Sequence, residues 1–349
     1  MRAAVLYDVD DIRIEERPIP QPGPGELLVR TGASGICSGD VMAWYVRRKA
    51  PLVLGHEPAG VIVAIGPAQD GIAQPPFAIG DRVFVHHHAP CLACRYCERG
   101  DYVQCAVWRA SKIDPGGLAE YFRVPRENVA DTLALPDGVS FVDGSLVEPL
   151  ACVCKSLRRS RLRPGDCLYV IGLGVMGLMH ALAGAARGAR VIASDFMETR
   201  REAAARCGVH AVHPDRAERE LRAFTDGRGA DAAICGPGTP QALRDALAAV
   251  SAGGTIVMFT PLEPGVAFQF DADDLYFRDV TLTASYSCGP EDTREALALI
   301  AAGVVTAERL GASIFPLEQA PAAYAALAGA RIVKPIIDFG EPSLSGFAY

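Results

Sequence analysis

The chain has 349 residues and a formal charge of −7; half of its residues are hydrophobic and 21% are charged, with 35 glycines and 25 prolines. That composition excludes coiled coil, collagen and wholesale disorder, and the length provides for two domains, each able to bury its own core. Lys and Arg are dispersed along an acidic chain, which leaves no electrostatic footprint for nucleic acid or an anionic membrane.

Residues 1–20 mix apolar and charged side chains (Val5, Asp8, Ile12, Glu15) and lack the apolar core of a signal peptide, so a cytoplasmic chain is expected. From residue 3 to about 147, Pro and Gly break the sequence into short alternating or β-branched runs at 27–31, 60–65 and 82–86, the texture of an antiparallel, β-rich domain with long loops. From about 164, apolar runs at 167–171, 190–194, 230–235, 255–259 and 280–284 alternate with Ala-rich amphipathic stretches. That alternation predicts an α/β unit with a parallel sheet and right-handed crossovers. Helices at 291–302 and 318–329 and a last strand near 333–339 do not continue the pattern, and they are expected to return to the first domain.

Residues 167–186 carry no Asp, Glu, Lys or Arg and are long enough to span a bilayer on length alone. The glycines at 172, 174, 177 and 184, the polar His180 and the change from strand-like to helix-forming residues instead predict a buried strand, a tight turn and a buried helix. Within that stretch, Gly172-Leu173-Gly174-Val175-Met176-Gly177 follows the strand and opens the helix, and Asp195 closes the next strand. In that context the glycines form a dinucleotide site: Gly172 for the turn, Gly174 for approach of the pyrophosphate, Gly177 for helix packing. The diphosphate would rest on the helix N-terminus. Asp195 would accept hydrogen bonds from the adenosine ribose and repel a 2′-phosphate, which favours NAD over NADP, with Arg200 and Arg201 near enough to weaken the preference.

Eleven cysteines in a cytoplasmic chain point to metal or redox chemistry rather than disulfides. Cys91, Cys94, Cys97 and Cys105 can close four thiolates around one ion, the donor set of a structural zinc site, and the spacing departs from that of common iron–sulfur loops. Cys37, His56, Glu57 and Glu148 come from distant segments and offer a thiolate, an imidazole and two carboxylates. Catalytic zinc sites are assembled that way, with one position left open.

Taken together, the motifs resemble the zinc-dependent medium-chain dehydrogenase/reductase superfamily, and within it the sorbitol (polyol) dehydrogenase branch. Cys37, Gly55-His56-Glu57, the four-cysteine loop, Gly80-Asp81-Arg82-Val83, Val147-Glu148-Pro149 and the Rossmann glycines occur in the family order over essentially the whole chain. The resemblance implies a discontinuous GroES-like catalytic domain of residues 1–150 and 290–349, and a Rossmann NAD-binding domain of residues 151–289. It implies that Cys37 and His56 bind a catalytic zinc, with Glu148 at or near that ion and Glu57 able to exchange with water as a ligand. Asp40 would orient the site, Cys91, Cys94, Cys97 and Cys105 would hold a second, structural zinc, and Arg200 would contact the cofactor ribose. A homodimer or homotetramer is also implied.

Simple alcohol dehydrogenases carry a Ser or Thr two residues after the zinc-binding Cys and often a His five after it; here Gly39 and Met42 stand there. Protons must leave by another route, through Ser38, Glu148 or water, and the carboxylate at 148 tilts the expected substrate toward polyols or sugars. Zinc would act as a Lewis acid on the alcohol, and the nicotinamide would take the hydride. Trp44 and Tyr45 would either wall the substrate pocket or belong to the core. His86-His87-His88 is expected to be a satisfied or exposed run rather than a metal site, and the six remaining cysteines to behave as small hydrophobes.

The expected activity is NAD-dependent interconversion of a secondary alcohol of a polyol or sugar and its ketone. L-threonine 3-dehydrogenase-like or general alcohol dehydrogenase activity is the alternative within the class. A nucleotide-binding structural or redox-sensing protein is the alternative outside it, although such a protein has no reason to keep an open zinc site. A zinc-free quinone or enoyl reductase would lack these ligands.

Overall fold

A computed structural model describes residues 1–340, which divide into two compact units: residues 1–149 with 288 onward, and Leu150–Ser287. In the first unit a seven-stranded sheet runs in the order Ser313–Phe315, Pro335–Asp338, Leu27–Gly35, Glu57–Ile65, Arg82–Val85, Thr132–Ala134, with Tyr121–Val124 also paired to Leu27–Gly35. The C-terminal strand Pro335–Asp338 lies antiparallel to Leu27–Gly35, with Ile336 opposite Gly35. A small sheet of Asp11–Glu16, Arg2–Asp8 and Leu52–Val53 completes the strands of this unit.

Two-residue periodicity divides the long strands between separate apolar clusters. Leu27 and Val29 pack with Ile62, Val83, Val85, Phe122 and Val124, while Leu28 packs with Val63 and Ala64 on the other side. Glu57 opens its strand directly opposite Gly35. That register brings the His56-Glu57 pair beside the segment that follows Gly35 and carries Cys37.

The second unit is a six-stranded, wholly parallel sheet: His210–Val212, Arg190–Ser194, Cys167–Ile171, Ala230–Cys235, Val250–Met258, Thr281–Ala284. The chain winds outward from Cys167–Ile171 in one direction and then resumes beside it with Ala230–Cys235. The topological switch point, where such sheets take their ligands, therefore lies at the C-terminal end of Cys167–Ile171. Five of the six strands coincide with the apolar runs read from the sequence. His210–Val212 was not foreseen, because three residues at a sheet edge, running from exposed His210 to buried Val212, are too few to leave a periodic signal.

The uncharged run at 167–186 is a buried strand followed by the helix Val175–Ala186. Among the described residues no helix is long and apolar enough to cross a membrane. His180 is accommodated inside that helix by donating from Nδ1 to the Met176 carbonyl at 2.7 Å. Burial lowers its pKa to about 4, so it is a neutral core residue.

The turn before the helix has no room for a side chain at its last glycine. Gly172 has a φ of +88°, and a Cβ on Gly177 would stand 1.8 Å from the Gly172 carbonyl oxygen. Gly177→Ala is expected to destabilise the second unit by about 1–3 kcal/mol, the usual result of overpacking. The check is the thermal melt of the purified variant, and an unchanged melting temperature would contradict the packing described.

Candidate active site and metal centres

Cys37 follows the strand Leu27–Gly35 and caps the one-turn helix Ser38–Val41, where the Gly39 N–H donates to its Sγ at 3.3 Å. One ligand atom each from Cys37, His56 and Glu57 lies within 4.8 Å of the others. Cys37 and His56 are half-buried and Glu57 is fully buried. The His56 Nδ1 faces Asp40 Oδ2 at 3.6 Å, beyond hydrogen-bond reach, so the carboxylate acts on the imidazole through its charge. Ser38 is half-buried beside Cys37.

The electrostatics here are those of charges held out of water. Burial pushes the Cys37 thiol and the Asp40 and Glu148 carboxyls above their usual ranges. Burial alone would lower the His56 pKa, but Asp40 and Cys37 outweigh it and hold it well above the ordinary value. A divalent cation reverses the thiol and carboxyl shifts, because it is the largest local charge in such a site. Glu57 Oε1 is buried with no hydrogen-bond partner, and the unmet oxygen beside a thiol and an imidazole fits a cation. Three donors of these types match zinc with one position left over.

The other Glu57 oxygen, Oε2, is held by the Lys334 ammonium in an ion pair fully closed to solvent, and Lys334 also donates to the Ile36 carbonyl at 3.2 Å. A Cβ on Gly35 would fall 1.9 Å from that oxygen, so the pair requires glycine there. Lys334, 277 positions from Glu57, was not singled out in the sequence. Tyr324 is a further unforeseen neighbour, a buried phenol whose pKa is raised well above normal by burial and by Asp40.

Glu148, in the first turn of the helix Val147–Arg159, does not join the Cys37 group at that spacing; it acts on His56 electrostatically and gathers instead with His86 and Cys288. The histidine run is not exposed. His86 is fully buried, and His87 stands between the His56 ring at 5.0 Å and the His88 ring at 4.2 Å. Trp44 and Tyr45 are half-buried, with the Tyr45 ring packed against a core cluster and under Lys49 Nζ at 3.7 Å.

The four-cysteine loop gathers its four sulfurs within 4.8 Å of one another. Cys91 and Cys94 lie 3.9 and 3.6 Å from the Cys97 Sγ, and zinc with bonds of about 2.3 Å sets sulfur–sulfur edges near about 3.8 Å. Burial and its thiol neighbours push Cys97 up to about 12. For Cys105 burial acts the same way, but backbone N–H donors from Cys91, Trp108 and Val107 outweigh it and bring the thiol to about 6.

In the second unit, Gly174 caps the helix Val175–Ala186, and a Cβ there would meet nothing within 4 Å, so the space before the helix N-terminus is open to a phosphate. Leu173, Val175, Met176 and Gly177 complete the turn. Asp195 has a bracing role that was not foreseen: Oδ2 accepts from the Leu173 N–H at 2.7 Å and Oδ1 from the Met197 N–H at 2.8 Å. Arg200 Nη1 lies 3.4 Å from Asp195 Oδ2, and Arg201 donates to the Asp195 carbonyl at 2.8 Å.

Lys334→Met removes one half of a buried pair and strands the Glu57 carboxylate, with an expected loss of about 3–5 kcal/mol in stability. Adding Glu57→Gln is expected to recover part of it. Chemical denaturation of the single and double variants checks this, and a single variant as stable as the parent would contradict the pairing.

Residues 23–137 match the alcohol dehydrogenase GroES-like domain, and residues 172–302 match the zinc-binding dehydrogenase family. The chain is 30% identical over 337 residues to the sorbitol dehydrogenase of Bacillus subtilis (strain 168), covering 91% of each chain. It is 28% identical over 350 residues to the D-xylulose reductase A assigned in Aspergillus clavatus, covering 95% of each. A protein from Sinorhizobium meliloti 1021, assigned as a zinc-binding dehydrogenase and crystallised with NADP, superimposes with a TM-score of 0.83 at 29% identity, over 97% of this chain and 98% of that one. The GroES-like and Rossmann expectations therefore hold, and the chain belongs to the zinc-binding alcohol dehydrogenases of the medium-chain dehydrogenase/reductase superfamily, as a nicotinamide-dependent oxidoreductase.

Proposed function

We propose that this chain is a zinc- and NAD-dependent polyol dehydrogenase that interconverts a secondary alcohol of a polyol or sugar with its ketone. The observation that carries this reading is the convergence of Cys37, His56 and Glu57 on one partly accessible point, in a chain 30% identical to a sorbitol dehydrogenase. In this reading residues 1–150 and 290–349 are the catalytic domain and 151–289 the NAD-binding domain.

Cys37 and His56 hold the catalytic zinc, Glu57 offers its free oxygen, and Glu148 tunes His56 from the side. Zinc held there would supply Lewis acidity toward the substrate hydroxyl, and bound nicotinamide would supply the hydride acceptor. Asp40 acts on the His56 ring by its charge, and Lys334 holds one Glu57 oxygen so that the other stays turned toward Cys37 and His56. The hydroxyl proton leaves through Ser38 or Glu148, because Gly39 and Met42 have no group to carry it. Cys91, Cys94, Cys97 and Cys105 hold a structural zinc. None of the eleven cysteines forms a disulfide, which suits a cytoplasmic enzyme.

Gly172, Gly174 and Gly177 receive the pyrophosphate, Asp195 the adenosine ribose, and Arg200 lies against it. The carboxylate at that place favours NAD over NADP. Support for a homodimer comes from the strand Thr281–Ala284, an edge of its sheet, and from Phe277 and Tyr286 nearby, 81% and 58% exposed.

The test is NAD⁺ reduction, read as NADH absorbance, with polyols, simple alcohols and L-threonine. Turnover concentrated on polyols is expected; turnover confined to L-threonine or simple alcohols would overturn the substrate class. Cys37→Ala is expected to abolish that turnover while NADH fluorescence titration stays at the parent affinity, and loss of both would contradict the assignment. Phe277→Glu is expected to convert a dimer into a monomer in sedimentation, whereas a monomeric parent chain at micromolar concentration would refute the edge pairing.

A further inference from the structure

We propose that His86, Glu148 and Cys288 form another metal site, a buried one that takes a zinc ion in addition to those at Cys37 and in the four-cysteine loop. One ligand atom from each residue lies within 4.8 Å of the others, and all three residues are buried. They come from three separate segments: His86 directly follows the strand Arg82–Val85, Glu148 is in the first turn of Val147–Arg159, and Cys288 precedes the helix Pro290–Ala301. A thiolate, an imidazole and a carboxylate are the donors that zinc prefers. Cys288 Sγ lies 3.5 Å from His86 Nε2, and a tetrahedral zinc with standard bonds to sulfur and nitrogen sets that edge at about 3.6 Å.

The imidazole is already prepared for an ion. His86 Nδ1 lies 2.6 Å from Asp131 Oδ2, and the other ring nitrogen, Nε2, faces Cys288. Thr293 Oγ1 donates to the other Asp131 oxygen at 2.7 Å, and Asn128 Nδ2 donates to the His86 carbonyl at 3.0 Å. Metal-binding histidines are oriented by this kind of outer carboxylate. The site shares no ligand with the Cys37, His56 and Glu57 group, and with Glu148 bound to an ion the proton route of the proposed reaction falls to Ser38.

The test is the zinc content per chain, by elemental analysis of the full-length protein as purified and of its Cys37→Ser, Cys97→Ser, Cys288→Ser and His86→Gln variants. The parent is expected to hold three ions, and each variant to lose one. A Cys288→Ser or His86→Gln protein that folds and keeps the parent's count would overturn the proposal. Loss of an ion in Cys37→Ser reports on the catalytic centre separately. If neither cluster variant folds, Co²⁺ reconstitution of the parent decides: a third equivalent with a thiolate charge-transfer band upholds the site. Saturation at two equivalents, one lost in Cys37→Ser and one in Cys97→Ser, overturns it.

Discussion

A carboxylate taken out of water must either find a positive partner or give up its charge, and the first unit sets that condition repeatedly in a small volume. Glu57 meets it in two halves. One oxygen is bound to Lys334, and the other is turned toward Cys37 and His56 with no hydrogen-bond partner. Neither half works without the backbone around it. Gly35 leaves space for the pair, the register of Leu27–Gly35 against Glu57–Ile65 sets Glu57 opposite it, and the returning strand Pro335–Asp338 brings Lys334 alongside. The C-terminal segment therefore contributes a charge as well as packing to this centre.

The same condition shapes how the two units divide the work. In the proposed reading the second unit would need no buried ion pair for a phosphate, which backbone N–H groups would hold where the glycines leave the helix N-terminus uncovered. Its one buried carboxylate, Asp195, is spent on holding the turn through the Leu173 and Met197 N–H groups, with Arg200 close to its outer side. In the first unit the ligands are side chains brought from far apart, so their geometry depends on the whole sheet. Replacement of a single distant residue, such as Lys334, is felt at the centre.

Much of this was legible in the residues, and what was legible was local. The four-cysteine loop and the glycine turn lie within short stretches whose spacing states their geometry, and the alternating apolar runs announced the parallel sheet. Cys37 and His56 were identifiable because their neighbouring residues repeat a family pattern. Partners with no such neighbours were not. Cys288, expected to be a small hydrophobe, lies against His86 across 202 positions, and Lys334 reaches Glu57 across 277. Nothing in a lysine between Val333 and Pro335 announces a buried ion pair. The histidine run read as satisfied or exposed, and His86 is satisfied, by Asp131 45 positions away, a partner that the sequence did not name.

The central claim is that buried donors at the head of the sheet are neutralised by zinc. Anomalous diffraction from crystals of the full-length protein, recorded on both sides of the zinc absorption edge, tests it most directly. The account predicts an edge-dependent peak within bonding distance of Cys37 Sγ and the His56 ring, beside Glu57 Oε1, together with one inside the four-cysteine loop. A peak in the loop with none at Cys37, in protein that reduces NAD⁺, would contradict it.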